Sequence, residues 1–334
     1  MNEINPSIDN TTKALLVDID STIPNLALMN ISAMIKENEG IASFEENDPT
    51  HAYISCIFAK NRDVALSSKK MLEIQYPNIV VDVGGSGVDL SHSVLDVSIP
   101  TRPDYSIYPD NDMSIGFSSR GCNRQCYKKG IRCIVPQKEG RYKRTLHPEV
   151  WHDPKFKKML LLDNNILMDK DWFFSTTEWM LEKGLRVDYN QGLDIRLVDE
   201  DVAHRIAELK PLDSWHFAFD DLEYRDAVES GAQMLSDAGI KLRNTVWMVY
   251  LGLETTEEDA LDRCNILRKI GCVPFPMIDG DIAFKDRPRW MTRIKGWCRP
   301  EIFFSAEYKD CTRGKPRHQI TPPVNVKALF EVLS

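Results

Sequence analysis

The segment Met113-Ser-Ile-Gly-Phe-Ser-Ser-Arg-Gly-Cys-Asn-Arg-Gln-Cys-Tyr-Lys-Lys-Gly-Ile-Arg-Cys-Ile-Val-Pro136 joins a short apolar run to three closely spaced cysteines. These cysteines are Cys122, Cys126 and Cys133, and they follow a strand predicted over residues 113–119. Thiolates gathered within one loop are typical ligands of a metal centre. Three thiolates on a four-iron cluster leave one iron without a protein ligand, and such an open position permits chemistry.

The residues on both sides of the cysteines carry a family resemblance. The patterns R-G-C-x-R-x-C from Arg120 and C-I-V-P-x-x-E-G from Cys133 resemble the cluster loop of the radical S-adenosylmethionine enzymes. The usual family spacing is C-x3-C-x2-C, whereas this chain has C-x3-C-x6-C, with Arg132 in place of an aromatic residue. The longer spacer must bulge outward, and Gly130 permits such a turn. A zinc site completed by a fourth ligand and unrelated buried thiols remain the alternatives.

Length and composition limit the class of protein. A chain of 334 residues, 43% hydrophobic and 28% charged, is long enough for two domains or for one large barrel with extensions. Because the sequence has no membrane-length apolar run and no signal-peptide pattern at its start, we expect a cytoplasmic protein that does not enter membranes. In that compartment cysteines are expected as thiols or metal ligands rather than disulfides. The other cysteines are interpreted as core or surface thiols: Cys56, Cys264, Cys272, Cys298 and Cys311.

The first hundred residues alternate between strands and helices. Strands are predicted over 13–19, 51–58 and 78–83, with helices over 24–38 and 63–75, which favours a parallel sheet. This part resembles the cobalamin-binding-like domain that precedes many radical S-adenosylmethionine domains. The family's cobalamin histidine is absent from the matching stretch Asp18-Ile-Asp20-Ser, and this argues against cobalamin as a cofactor.

The alternation resumes at Met113 and runs for six strand–helix units. The strands are predicted over 113–119, 159–163, 186–190, 215–219, 245–251 and 273–278, and the helices over 169–183, 199–209, 223–238, 256–270 and 288–298. The predicted fold is α/β, with an N-terminal Rossmann- or flavodoxin-like parallel sheet followed by the partial (β/α)6 TIM-like barrel that the resemblance implies. The predicted domains are 1–110, including a proline-rich linker, the barrel over 111–300, and a C-terminal extension over 301–334.

Polar residues follow the predicted barrel strands, at the end where barrel enzymes place their active sites. The resemblance covers roughly residues 115–279. It implies a cofactor-binding role for each of the following polar or glycine residues after the strands. Asp163, Asn164 and Asn165 correspond to the family's contacts with the methionine amino group. Asn190, Gln191, Asp194 and Arg196 correspond to residues that position the ribose and the methionine carboxylate. Gly252 and Glu254 correspond to the segment along the adenine.

The cysteine loop is strongly basic although the whole chain has a net charge of −8. Between positions 120 and 144, Glu139 is the acidic residue, and the basic residues are Arg120, Arg124, Lys128, Lys129, Arg132, Lys138, Arg141, Lys143 and Arg144. These charges either offset an anionic cluster and the cofactor carboxylate, or contact the phosphates of a nucleotide or nucleic acid. Nucleic acid is therefore a candidate partner through residues 120–144.

The resemblance implies a defined activity. S-adenosylmethionine would chelate the open iron of a [4Fe-4S] cluster, and an external donor such as flavodoxin or ferredoxin would supply an electron. Reductive cleavage would then give a 5′-deoxyadenosyl radical that abstracts hydrogen from an unidentified substrate, for which a nucleotide, a nucleic acid and a peptide are the candidates. The sequence assigns no further catalytic residue. The alternatives are a non-catalytic module that binds S-adenosylmethionine or nucleic acid, and a zinc-binding structural protein.

Overall fold

A computed structural model describes residues 8–90, 102–124, 126, 131, 133–280 and 282–311. It has an α/β fold with parallel sheets, as the sequence predicted. The strands are β1 Lys13–Asp18, β2 Ile41–Ser43, β3 His51–Ser55, β4 Val80–Gly84, β5 Ser114–Gly116, β6 Ser119–Arg120, β7 Lys143–Arg144, β8 Lys158–Leu161, β9 Arg186–Tyr189, β10 Lys210–Pro211, β11 Trp215–Ala218, β12 Thr245–Leu251 and β13 Val273–Ile278. The helices are α1 Leu26–Glu37, α2 Arg62–Gln75, α3 Val135–Lys138, α4 Pro148–Trp151, α5 Lys170–Glu182, α6 Glu200–Glu208, α7 Arg225–Asp237, α8 Glu257–Ile270, α9 Arg289–Trp297 and α10 Pro300–Phe303.

The N-terminal sheet has the parallel order β2-β1-β3-β4. Helix α1 begins at Asn25, whose side-chain oxygen accepts a hydrogen bond from the Leu28 backbone N–H at 3.1 Å, as a helix N-cap does. Its apolar residues Leu28, Ile31 and Ile35 recur at helical spacing and pack on Leu16 of β1. Sequence periodicity therefore placed β1, α1, β3, α2 and β4 correctly, whereas the short edge strand β2 was not predicted.

Two further parallel sheets follow, with the orders β10-β9-β8-β5 and β11-β12-β13. A parallel bridge between Leu193 and Phe217 connects them. Helices α5 to α9 pack against these sheets around one apolar core that includes the buried side chains of Phe173, Phe217 and Trp247. Each predicted strand and helix of this region therefore has a counterpart in the structure.

The strand predicted over 113–119 is divided into β5 and β6. The division falls at Ser118, because its backbone N–H and its hydroxyl both donate to the carboxylate of Asp163. After this interruption β6 pairs antiparallel with β7 instead of continuing the parallel sheet. The apolar run in the sequence predicted the strand but not its interruption, which depends on a residue 45 positions away.

The N-terminal sheet and the later sheets share a hydrophobic interface. Met29 of α1 packs with Ile115 of β5 and Leu160 of β8, and all three side chains are buried. Tyr105 lies in the predicted linker, and its hydroxyl oxygen accepts a hydrogen bond from the Ile115 backbone N–H at 2.9 Å. The hydroxyl of Tyr108 donates to Asp18 at 2.8 Å. The proline-rich linker was predicted over residues 95–112. Its described part, residues 102–112, packs between the two regions, and residues 95–101 lie outside the described residues.

Helix α8 illustrates how local sequence signals set the element boundaries. Its N-cap is Thr256, whose hydroxyl accepts from the Asp259 N–H, and it ends at Gly271 with φ of 83°, in agreement with the helix predicted over 256–270. Among the described residues, none of the helices combines the length and the apolar character that crossing a bilayer requires. Of the predicted C-terminal extension, residues 312–334 lie outside the described residues.

The interface around Ile115 should contribute strongly to stability. Ile115→Ala removes a fully buried side chain and should lower the free energy of unfolding by about 2–5 kcal/mol. Ile74→Ala is the matched control, because that side chain is 81% exposed on α2. Urea unfolding followed by circular dichroism measures both variants. Equal transition midpoints for the two variants would show that the interface contributes little.

Candidate metal and cofactor site

The three loop cysteines occupy one region of the structure. Cys122 lies two residues after β6, Cys133 lies two residues before α3, and all three thiols are half-buried. Burial raises the pKa of Cys126 to about 11, and the neighbouring Cys133 and Cys122 add to this effect. Burial also raises the pKa of Cys122 and of Cys133. Cys122 and Cys133 thus both influence the Cys126 thiol, and the role of the three thiols as metal ligands stays a prediction.

Gly121 holds the start of the cysteine loop in a conformation that favours glycine. Its φ is 78°, and a Cβ atom there would lie 2.2 Å from the carbonyl oxygen of Arg141. Its backbone N–H donates to the side-chain oxygen of Asn164 at 2.8 Å. Asn164, a predicted cofactor residue, therefore positions the backbone next to Cys122.

A buried ion pair closes the base of the same loop. The guanidinium of Arg120 donates to both carboxylate oxygens of Glu139, at 2.9 and 2.8 Å, and stacks 4.0 Å from the centre of the Phe117 ring. Such bidentate pairing fixes geometry as well as charge. The ion pair therefore links the two halves of the sequence pattern, which lie on either side of the cysteine insertion: Arg120 belongs to R-G-C and Glu139 to E-G.

Asn165 and Asp194 form a polar network beside Cys122. The amide nitrogen of Asn165 lies 2.9 Å from the Asp194 carboxylate and 3.9 Å from the Cys122 sulfur. The same carboxylate accepts from the Arg196 guanidinium at 3.1 Å and pairs with Arg124. The positive charge of Arg196 partly opposes the rise that burial causes in the Cys122 pKa. Asn165, from the end of one predicted strand, therefore lies together with Asp194 and Arg196, from the end of the next.

Asp163 occupies a different environment from its neighbours Asn164 and Asn165. Its side chain is almost fully buried and accepts three hydrogen bonds, from the Ser118 N–H at 3.0 Å, the Ser118 hydroxyl at 2.7 Å and the Ser119 hydroxyl at 2.5 Å. Burial raises the pKa of this carboxyl. The structure thus places Asp163 under the loop as its support, and the predicted contact with a cofactor amino group stays a prediction.

The side chains of the remaining predicted cofactor residues take no part in the contacts described above. Asn190 is half-buried, and its backbone N–H donates to the Leu161 carbonyl at 3.0 Å. Gly252 is buried, whereas Gln191 and Glu254 are exposed to solvent. These residues follow β9 and β12, so they share the strand-end edge, but the contacts described above do not include their side chains.

Asp220 follows the strand predicted over 215–219 and was not among the residues matched to a specific cofactor contact. It follows β11, and its carboxylate accepts from the Tyr250 N–H at 3.0 Å. Burial raises its pKa, and its negative charge in turn raises the pKa of Cys126 and of Cys133. The sequence feature that could have identified Asp220 is its position just after a predicted buried strand. The other polar residues at strand ends have the same kind of position.

Several cations of the basic loop already have acidic partners within the protein. Arg120 pairs with Glu139, Arg124 pairs with Asp194, and Arg144 donates to Asp169 through two nitrogen atoms at 2.6 and 2.8 Å. Arg144 also lies over the Trp172 ring. These contacts favour an internal, charge-compensating role for the arginines over a phosphate-binding one.

The described side chains can be compared with the ligands that a single metal ion requires. Within the part of the chain that the structure describes, no group of three or more His, Cys, Asp or Glu side chains is placed to hold a metal ion. Around one zinc ion, Zn–S bonds of ~2.3 Å would bring thiolates to about 3.8 Å from one another. In a four-iron cluster each thiolate binds its own iron, so the sulfur atoms stand farther apart. The described side chains of Cys122, Cys126 and Cys133 do not form a site for a single metal ion.

The buried Asp163 generates a pH-dependent prediction. Because folding raises its pKa, wild-type stability should decrease relative to that of Asp163→Asn as pH rises from the ordinary Asp value of 3.8 through the raised value. Urea unfolding between about pH 4 and 8 measures this difference. Asp237→Asn, at an exposed position on α7, controls for the loss of one charge. A wild-type-to-variant difference that stays constant over this pH range would contradict the assignment.

No known protein-family model matches the chain. No curated protein matches its sequence either. The resemblance to radical S-adenosylmethionine enzymes therefore depends on the loop pattern and on the strand-end residues themselves.

Proposed function

We propose that the chain is a radical S-adenosylmethionine enzyme, with Cys122, Cys126 and Cys133 as ligands of a [4Fe-4S] cluster. The observation that carries this proposal is the contact of Cys122, the first of the three loop cysteines, with the Asn165–Asp194 network at the carboxyl ends of parallel strands. A cluster bound there would have charged and amide groups next to its open iron. Those groups are the ones needed to hold an amino acid-bearing cofactor.

The order of the strands supports a partial (β/α)6 barrel for residues 111–300. Strands β5, β8, β9, β11, β12 and β13 are parallel neighbours in chain order, and the bridge from Leu193 to Phe217 links the two sheets. Barrel enzymes use the carboxyl ends of such strands for catalysis. The N-terminal sheet would then be the Rossmann- or flavodoxin-like domain ahead of it.

The site contains charged side chains that could bind the carboxylate and the ammonium of the cofactor's methionine group. The guanidinium groups of Arg124 and Arg196 can pair with its carboxylate, and the Asp194 carboxylate can accept from its ammonium or from ribose hydroxyls. When bound, the cluster and S-adenosylmethionine would supply a carbon-centred radical for hydrogen abstraction. Because burial raises the pKa of the three thiols, their ligation to iron releases protons.

The sheet face opposite the core carries polar side chains that could hold a substrate. Val187 and Tyr189 of β9 point into the helix-covered core, so Asp188 between them lies on the other face. There, Asp188 lies 3.4 Å from a ring nitrogen of His216, which also contacts the Ser214 hydroxyl at 3.2 Å. A substrate with hydrogen-bonding groups would be oriented by this cluster, and flavodoxin or ferredoxin would act as the electron donor.

Release of 5′-deoxyadenosine tests the proposed reaction. After anaerobic reconstitution with iron and sulfide, dithionite and S-adenosylmethionine should yield 5′-deoxyadenosine, detected by mass spectrometry. Cys122→Ala and Cys133→Ala should both lose the product and the iron, because each removes one cluster ligand. Cys311→Ala, outside the loop, should retain both.

Two outcomes would contradict this assignment. Full iron content in Cys133→Ala would show that the third ligand is misassigned. A colourless protein with stoichiometric zinc would instead support the zinc-binding structural alternative.

Asp194 should matter for cofactor affinity rather than for the cluster. Asp194→Asn cannot accept from both Asn165 and Arg196 as the carboxylate does, and should weaken S-adenosylmethionine binding about tenfold. Its iron content should stay at the wild-type level. Equilibrium dialysis with reconstituted protein measures the affinity, and Glu258→Gln on the exposed side of α8 is the control. Equal affinities for Asp194→Asn and wild type would overturn the assigned role.

A further inference from the structure

Two cysteines that have no part in the proposed function lie side by side in the main core. Cys264 is on α8, and Cys298 directly follows α9. Their sulfur atoms are 3.6 Å apart, so the two thiols are in direct contact. Both side chains are almost fully buried, with 0% of Cys264 and 2% of Cys298 exposed. The contact joins two helices whose cysteines are 34 residues apart along the chain.

The backbone positions of the two thiols favour a covalent bond between them. A disulfide has an S–S length of about 2.05 Å, so the sulfur atoms would have to approach by about 1.5 Å. Cys264 lies within α8, where helical hydrogen bonds hold its backbone. Cys298 is the C-cap of α9, and the carbonyl groups at a helix end lack partners within the helix. The Cys298 side can therefore adjust while Cys264 stays in place.

The environment of the two thiols is apolar. They belong to the same core cluster as Leu267, Met291 and Ile294, which are buried side chains of α8 and α9. Burial raises the pKa of Cys298 well above its ordinary value, and the neighbouring Cys264 adds to this effect. Because the thiolate is the reactive form of cysteine, the two thiols react slowly and stay reduced until an oxidant acts on them.

Short elements cover the residue next to Cys298. The rings of Phe303, in α10, and Tyr308, in the turn after it, lie 4.9 and 5.5 Å from the centre of the Trp297 ring. Helix α10 has four residues, and such short elements open locally more readily than the central strands and helices of a core. Opening of α10 and the turn therefore gives a small oxidant a route to Cys298.

We propose that Cys264 and Cys298 are a redox-sensitive pair that a hydroperoxide such as hydrogen peroxide converts into a disulfide, which ties α8 to α9. In the first step the Cys298 sulfur attacks one peroxide oxygen, the O–O bond breaks, and a sulfenic acid and one water form. In the second step the Cys264 sulfur attacks the Cys298 sulfur, the S–S bond forms, and the hydroxyl leaves as a second water. The two thiols together lose two electrons, and the peroxide gains them. This reaction does not depend on the proposed iron–sulfur cluster, because neither cysteine belongs to the cysteine loop.

Peptide mapping of the full chain after treatment with hydrogen peroxide tests the proposal. Remaining thiols are blocked with N-ethylmaleimide in urea before digestion with trypsin. Cleavage after lysine and arginine, except before proline, places Cys264 in peptide 264–268, Cys298 in peptide 296–309 and Cys311 in peptide 310–313. Mass spectrometry of the monomeric fraction should find peptide 264–268 joined to peptide 296–309. The joined species should disappear after treatment with dithiothreitol.

Three results of this mapping would overturn the proposal. Complete blocking of Cys264 and Cys298 after peroxide treatment would show that the pair does not react. Peptide 296–309 joined to 310–313 would make Cys311 the partner of Cys298. A joined species found in dimers alone would show a bond between two copies of the chain. Cys272 is the internal control, because it is equally buried in the same core but has Thr245 and Trp247 as neighbours, and it should remain a free thiol.

Urea unfolding gives an independent readout of the bond between α8 and α9. A cross-link restricts the unfolded chain, so peroxide-treated wild type should unfold at a higher urea concentration than reduced wild type. Cys264→Ala cannot form the bond and should show no such increase over its own reduced form. Because each protein is compared with itself, a lower starting stability of the variant does not affect the result. Equal increases in wild type and Cys264→Ala, or no increase in wild type, would show that the proposed bond does not tie the two helices.

Discussion

The hydrogen bonding between Asp163 and the Ser118–Ser119 pair determines where the cysteine loop begins. The buried carboxylate receives three donors from these two residues, and the Ser118 carbonyl accepts from the Trp172 indole and the Thr145 N–H, both at 2.9 Å. These bonds end β5, turn the chain toward β6 and bring Gly121 beneath Asn164. A buried carboxylate is tolerated only when its oxygens are satisfied, so the geometry of the loop and the burial of Asp163 depend on each other.

Much of this architecture follows from local sequence patterns. Apolar runs and helical periodicity predicted the strands and helices on both sides of the linker, and the Thr256 and Gly271 signals gave the ends of α8. The location of the site was predictable because it depends on the direction of the strands. Parallel strands place their carboxyl ends at one edge, and this brings Asn165 and Asp194 together.

Other features depend on contacts between distant residues, which a single sequence does not show. The division of the predicted first barrel strand results from Asp163, and the packing of Tyr105 and Tyr108 turns part of a predicted linker into an interface. The role of Asp220 depends on its distance from Cys126 and Cys133, which lie nearly a hundred residues away along the chain. A cavity between the sheets could not be predicted, because its walls come from two regions that are far apart along the chain.

The central claim is that Cys122, Cys126 and Cys133 together hold a four-iron cluster with one iron open to S-adenosylmethionine. Mössbauer spectroscopy of protein reconstituted anaerobically with ⁵⁷Fe tests this claim most directly. The account predicts the spectrum of a [4Fe-4S] cluster in which one iron site changes its parameters when S-adenosylmethionine is added. A cluster whose iron sites all remain unchanged, or the absence of a four-iron cluster, would contradict it.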